Sequence, residues 1–160
     1  MNALEVQTLA RYWELMAREA ASSDDWARVL ATFPLFSGVG KRRLRKLVRD
    51  ATFLELAPGE TIIAGDAPGD SPYVILGGRA KTRWSSPSRT LHVGDYFGEL
   101  SVLSGSARST TFVATRELHL MRLPRTSFLR LARQEPAVSL AMLTDHYARF
   151  RGLELEAARS

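Results

Sequence analysis

The sequence predicts an α+β fold in which helices at both ends of the chain enclose a middle section of short antiparallel strands. Two observations support this prediction. Between residues 51 and 123, short runs of β-branched and aromatic residues alternate with turn sequences rich in Gly, Pro, Asp and Ser. The runs follow one another without helical crossovers, with one interruption at residues 98–103, so the strands are expected to pair antiparallel in a sandwich, a roll or a barrel.

The composition fits one soluble domain. The chain has 160 residues, of which 45% are hydrophobic and 24% charged, and its formal net charge is +5. No cysteine is present, which excludes disulfides, zinc ribbons and thiol chemistry. No apolar run reaches membrane-spanning length, and Glu5, Glu14 and Glu19 stand where a signal peptide would be apolar. We therefore expect a cytoplasmic protein without a membrane span.

Three helices are predicted before the strands. Residues 2–21 contain no Gly or Pro and carry an apolar stripe at Val6, Leu9, Trp13 and Met16. Polar residues 22–25 then offer caps for a second helix that ends before Pro34. Residues 41–48 form a third helix, whose many basic side chains are expected to be a solvated face rather than a nucleic-acid or lipid surface. We divide the chain into an N-terminal helical segment, residues 1–32, and a domain of residues 33–160.

The predicted strands are 52–56, 61–64, 73–76, 80–84, 90–93, 110–114 and 118–123. Residues 98–103 interrupt them with a glycine and a brief apolar stretch that suits a short helix. After Pro124 two more helices are predicted, at about 125–133 and 137–158. The last of them has an apolar seam that suits either a core contact or a dimer contact, at Leu140, Leu143, Tyr147 and Phe150.

The stretch from Phe97 to Thr111 is the most informative part of the chain. Gly98 allows a close backbone approach, and the following short helix would present free amides to an anion. Arg108 lies nine residues after Glu99, and an arginine beside such amides suits a phosphate. A carboxylate repels phosphate, so Glu99 is expected to accept hydrogen bonds from sugar hydroxyls. A nucleotide contains both a phosphate and a sugar, so this stretch favours a nucleotide as the ligand.

This stretch resembles the phosphate-binding cassette of cyclic nucleotide-binding domains. Seven residues match the usual pattern in place: Phe97, Gly98, Glu99, Leu100, Leu103, Arg108 and Thr111. The resemblance extends over about residues 33–151, and the pattern is most similar to bacterial cyclic nucleotide-gated channel domains, here as a stand-alone chain. It implies a jelly-roll-like antiparallel β-roll of about eight strands (residues 51–123) followed by two helices (125–158).

The resemblance also implies the ligand contacts. Arg108 would pair with the cyclic phosphate and Glu99 with the ribose 2′-hydroxyl, while amides of Gly98, Leu100 and Ser109 complete the cradle. Arg149, thirteen residues after Pro136, would cover the purine as part of a helical lid that swings toward the roll. The Ser109 hydroxyl would add a phosphate contact and favours cAMP over cGMP.

Departures from the pattern leave these contacts in place. Thr110 stands where alanine is usual and would narrow the pocket or offer the base a hydroxyl.

The sequence predicts no enzyme, cofactor or metal site, since His92, His119 and His146 lack metal spacing and no catalytic motif is present. Two other functions remain open. One is an interaction domain without a ligand, its pocket filled by Arg149 or Tyr147. The other is a fragment of a DNA-binding regulator, although the roughly ten residues after Phe150 leave no space for a recognition helix and no DNA is expected. The partner would be an effector protein or a second copy, bound through residues 2–21 or the last helix.

Overall fold

A computed structural model describes residues 22–64, 71–84, 88–105 and 110–159 of the chain. The predicted helix over residues 2–21 lies outside the described residues. The helices are α1 (Ser23–Ala31), α2 (Lys41–Asp50), α3 (Glu99–Ser104), α4 (Arg125–Gln134) and α5 (Pro136–Ala157). The strands are β1 (Thr52–Leu56), β2 (Thr61–Ala64), β3 (Tyr73–Gly77), β4 (Ala80–Thr82), β5 (Thr90–Leu91), β6 (Tyr96–Phe97), β7 (Thr110–Ala114) and β8 (Leu118–Arg122).

The two helices before the strands begin where their sequences predict, and α2 continues to Asp50, two residues beyond its predicted end. Ser22 caps α1 and exchanges hydrogen bonds with Asp25, which satisfies amides at the start of the helix. A 3₁₀ turn at Pro34–Phe36 then leads into α2, whose basic side chains include Lys41 and Arg43, which pair with acidic neighbours. The Arg45–Asp24 ion pair, at 3.1 Å, ties α2 to α1. The division of the chain at residue 32 stays a prediction.

The strands form two antiparallel sheets of four strands each. The first sheet has the order β1-β8-β3-β6, and the second has the order β2-β7-β4-β5. In the register, Leu54 lies opposite Leu120 and Ile62 opposite Phe112. The predicted fold class, an α+β protein with an antiparallel β-roll of about eight strands, is confirmed.

The first sheet lies between the helices and the second sheet. Every residue of β3 is buried, because Val74 and Leu76 face the helices while Tyr73 and Ile75 face the second sheet. We call the two resulting sets of buried side chains the helical cluster and the roll cluster. The helical cluster is built on Leu30, Phe36, Leu44, Phe128 and Val138, and the roll cluster on Ile75, Leu91, Phe97, Phe112 and Leu120.

Three strands differ from prediction by more than one residue, whereas β3 and β8 each differ by one residue at their ends. The two-residue strand β6 was not predicted, because Tyr96 and Phe97 alone show no alternation. Strand β4 ends at Thr82 rather than residue 84, since Trp84 has φ of 54° and is 86% exposed. Strand β5 likewise ends at Leu91.

Helix α5 packs through a different face from the predicted seam. Val138 and Met142 are its buried residues, whereas the seam side chains Leu140, Leu143, Tyr147 and Phe150 are all exposed. As a core contact the seam was wrong; as a dimer contact it stays a prediction. None of the described helices combines the length and apolar character that crossing a bilayer requires.

Candidate functional site

The site begins where β6 turns into α3. Gly98 has φ of 82°, a left-handed conformation that side-chain-bearing residues rarely adopt, and it directs the chain from the strand into the helix. Glu99 is the first residue of α3. The short helix that the sequence predicts over residues 98–103 is therefore present, as Glu99–Ser104.

An aromatic stack fixes the strand before this turn. The Phe97 ring lies 5.0 Å from the Tyr73 ring and 4.2 Å from the Phe112 ring, centroid to centroid. All three residues are buried in the roll cluster. The backbone at Gly98 and Glu99 thus follows directly on a residue that is packed in the roll cluster.

The Glu99 side chain is buried and bound by α5. Its exposed fraction is only 2%, and its Oε1 lies 2.7 Å from Nε2 of His146. The same oxygen accepts a hydrogen bond of 3.3 Å from Nη2 of Arg149. A buried carboxylate needs such partners, because an unpaired buried charge is strongly unfavourable. Both partners come from one face of α5, since they are three residues apart.

Three further polar side chains surround this contact. The Tyr96 hydroxyl donates to Oδ2 of Asp145 at 3.0 Å, and Arg149 Nη2 lies 3.5 Å from the same carboxylate. Arg89 donates from Nη2 to the backbone carbonyl of Tyr96 at 3.3 Å. Burial and the nearby Asp145 carboxylate raise the pKa of Tyr96, while burial and the nearby Arg149 lower the pKa of Arg89.

The structure brings some of the predicted site residues together. Gly98, Glu99 and Arg149 meet at the contact between α3 and α5. The Leu100 side chain is 53% exposed, in keeping with a role predicted for its amide alone, and Thr110 begins β7 opposite Ala64. Arg108 and Ser109 lie outside the described residues. Tyr147, which the ligand-free alternative would fold inward, is 62% exposed.

Sequence reasoning missed four residues of the site. The sequence prediction treats His146 only as a possible metal ligand, and it gives no role in the site to Tyr96, Asp145 or Arg89. One signal was present for two of them: Asp145 and His146 lie one helical turn before Arg149 and so share its face of the helix.

A match to a known protein family shows to which family the chain belongs. The sequence profile of the cyclic nucleotide-binding domain matches residues 53–135, more than half of the chain. The chain belongs to the cyclic nucleotide-binding domain family. The resemblance seen in the cassette at residues 97–111 is thereby confirmed.

Named relatives include regulatory and channel proteins. A cAMP-dependent protein kinase regulatory subunit from Aspergillus niger is 32% identical over 105 residues, which cover 64% of this chain and 26% of that protein. A cyclic nucleotide-gated potassium channel from Rhizobium etli is 29% identical over 112 residues, covering 70% of this chain and 32% of the channel. The chain thus spans a third or less of the length of either relative.

A solved structure shares the fold. The structure of PKAR CBD2 with Sp-2Cl-cAMPS bound superimposes with a TM-score of 0.69 over 87% of this chain and 93% of that one. The identity is 23%, so this likeness supports the fold: a β-roll with flanking helices.

Proposed function

We propose that this chain is a non-catalytic regulatory domain that binds a cyclic purine nucleotide, with cAMP favoured over cGMP. The observation that carries the proposal is Glu99, a carboxylate 2% exposed, held at the start of α3 directly after the left-handed Gly98. Such a carboxylate suits the hydroxyl of a sugar, and the family to which the chain belongs is defined by cyclic nucleotide binding. The regulatory role is supported by the kinase regulatory subunit among its relatives.

Each predicted contact has a role in this proposal. Arg108 pairs with the cyclic phosphate through charge-assisted hydrogen bonds, and the amides of Gly98, Leu100 and Ser109 hold the same group. Glu99 accepts from the ribose 2′-hydroxyl. Arg149 covers the purine with its guanidinium plane. The Ser109 hydroxyl is the basis of the cAMP preference, and Thr110 lies at the edge of the base site.

The signal is proposed to reach either an effector protein or a second copy of the chain. The exposed seam of α5, with Leu140 and Tyr147 each more than 60% exposed, supports a contact through the last helix. A contact through residues 2–21 and a cytoplasmic location both stay predictions.

Thermal melting tests the binding proposal. The purified chain is denatured and refolded to remove carried-over ligand, then melted with cAMP, cGMP, 5′-AMP or buffer. We expect cAMP at about a hundred times its Kd to raise the Tm by about 5 °C or more, because a ligand that binds only the native state stabilises it. 5′-AMP, which lacks the cyclic phosphate, is expected to give no shift.

A matched pair of arginine variants locates the site. Arg108→Ala removes the phosphate partner, a charge-assisted contact of about 1.5–3 kcal/mol or more, and is expected to abolish most of the shift. Arg116→Ala removes an equal charge from the exposed turn before β8 and should leave the shift intact. Wild-type binding by Arg108→Ala would contradict the site assignment.

A second candidate function is an interaction domain without a ligand. The observation that favours it is that His146 and Arg149 already cover Glu99, which makes the pocket partly self-filled. If no nucleotide raised the Tm of the wild-type protein, even cAMP at millimolar concentration, this function would be favoured over nucleotide binding.

A further inference from the structure

The contact between Glu99 and α5 places two donors on the carboxylate proposed for ribose recognition. His146 Nε2 is 2.7 Å from Glu99 Oε1, and Arg149 Nη2 is 3.3 Å from the same atom. We call these three side chains the Glu99–α5 contact. A carboxylate has lone pairs for several donors, so the number of donors alone would not exclude a ribose hydroxyl.

Burial, rather than lone-pair number, makes the Glu99–α5 contact exclusive. With α5 in place the Glu99 side chain is 2% exposed, while His146 is 23% and Arg149 29% exposed. Both donors from α5 are thus themselves mostly buried, against a carboxylate that has almost no surface left for another partner. A sugar hydroxyl within hydrogen-bond distance of Glu99 would have to take the space that they fill.

α5 is held at this position by a second attachment. Tyr96 lies on β6, three residues before Glu99, and its hydroxyl donates a hydrogen bond of 3.0 Å to Asp145. The Asp145 carboxylate lies 3.5 Å from Arg149 Nη2. Asp145, His146 and Arg149 occupy one face of the helix and all contact the same end of the roll. The apolar anchors Val138 and Met142 lie nearer the start of α5, so among the described residues these polar contacts hold its middle turns against the roll.

The closed arrangement leaves one hydrogen-bonding group unsatisfied. Arg149 Nε is buried and has no hydrogen-bond partner among the described residues. A buried donor without a partner is unfavourable, and it regains water when the helix moves away. The polar contacts stabilise the docked position of α5, whereas the unsatisfied Arg149 Nε destabilises it, and this unfavourable term disappears when α5 is released.

We propose that His146 competes with the ribose hydroxyl for Glu99, so that the middle of α5 must leave the roll before a cyclic nucleotide can bind. The inference rests on the proposed function and adds a determinant of affinity to it. The nucleotide binds only the open arrangement, and its apparent affinity is lowered by the fraction of molecules that are closed. Arg149 is released in the same step and becomes free to cover the purine.

The test compares two histidine variants. His146→Ala removes the donor at Glu99, whereas His92→Ala removes an exposed imidazole from the turn between β5 and β6. Isothermal titration with cAMP is expected to give about tenfold tighter binding for His146→Ala, from the loss of a hydrogen bond to a charged group, and no change for His92→Ala. His146→Gln, which keeps a side-chain N–H donor, should bind cAMP nearly as wild type does.

A measurement without nucleotide tests the same contact independently. Amide hydrogen exchange in residues 143–151 is expected to be faster in His146→Ala than in wild type or His92→Ala, because α5 leaves the roll more often. Faster exchange together with tighter cAMP binding supports the proposal.

Two other results would contradict the proposal, and they differ in what they say about nucleotide binding. Equal or weaker cAMP binding by His146→Ala, while wild type binds, would overturn the competition and leave the proposed function standing. Absence of cAMP and cGMP binding in wild type and all variants would overturn both, even if α5 exchange were faster.

Discussion

Tyr96 shows how single side chains join the roll to its last helix. Its hydroxyl donates to Asp145 on α5, and burial together with that carboxylate raises its pKa above the ordinary value of 10.0. The folded protein thus holds this proton to higher pH than the unfolded chain does. The stability that results is present below about pH 10 and is lost as the pH rises through the folded pKa.

Urea denaturation of wild type and Tyr96→Phe at pH 7, 9, 10.5 and 11 tests this residue. At pH 7 we expect the variant to be about 1 kcal/mol less stable, from one lost hydrogen bond. Above pH 10 the difference should shrink by up to about 1.4 kcal/mol per pH unit, because only wild type has the phenol to ionise. Tyr147→Phe, which removes an exposed hydroxyl from α5, is the control. A constant difference from pH 7 to 11 would contradict the assignment.

The sequence predicted those residues of the site that lie close together in the chain. Gly98, Glu99 and the short helix are neighbours in the chain, so their pattern identified them directly. His146 is 47 residues from Glu99, and their contact depends on how α5 docks against the roll. The position of His146 on the same helix face as Arg149 makes it a neighbour of the site, but the sequence of α5 does not specify which group of the roll that face contacts.

At the scale of elements, turns proved as informative as strands. Gly78 joins β3 to β4 with φ of 86°, and a Cβ built there would lie 1.9 Å from the backbone oxygen of Glu117. Two constraints therefore act on this glycine: a left-handed backbone and a rigid neighbour. Gly59 has a similar φ of 90° but open space around its Cβ position, so only the first constraint acts there.

The two glycines give a matched pair of variants. Gly59→Ala is expected to lose about 1–2 kcal/mol, the cost of the left-handed conformation alone. Gly78→Ala should lose about 3 kcal/mol or more, because the backbone at Glu117 must also move. Chemical denaturation of both variants measures the difference. Equal losses would mean that the contact with Glu117 imposes no cost of its own.

Elements also show where apolar patterns mislead. The run at residues 73–76 is continuous rather than alternating because β3 is covered on both faces, and the strand prediction succeeded there. On α5 the most regular apolar stripe is exposed, while the helix docks through Val138, Met142 and its polar face. The periodicity of apolar residues predicts a helix reliably. It does not predict which face of the helix packs against the core when that face is short and partly charged.

For the whole molecule, the first sheet makes the two clusters of buried side chains interdependent. Its strands β3, β6 and β8 direct alternate residues into the helical cluster and the roll cluster, and Val93 packs against both. Loss of either cluster would expose one face of the sheet that supports the other. We therefore expect the described part of the chain to unfold in a single cooperative transition.

Substitutions in each cluster test this cooperativity. Leu30→Ala in the helical cluster and Leu91→Ala in the roll cluster each remove a side chain that is 0% exposed, and each should cost about 2–5 kcal/mol. In a background with Trp13→Phe and Trp84→Phe, the fluorescence of Trp26 reports the helical cluster alone, since the chain has three tryptophans. Far-UV circular dichroism reports the whole fold.

The two signals should share one midpoint in the background protein, and both variants should lower that midpoint by similar amounts. If Trp26 melted first in Leu30→Ala, while the dichroism of the strands persisted, the helices would be a separate unit resting on a self-sufficient roll. A common midpoint would instead mean that any ligand bound at the roll stabilises the helices as well. Binding at Glu99 would then be felt along α5 even where no ligand touches it.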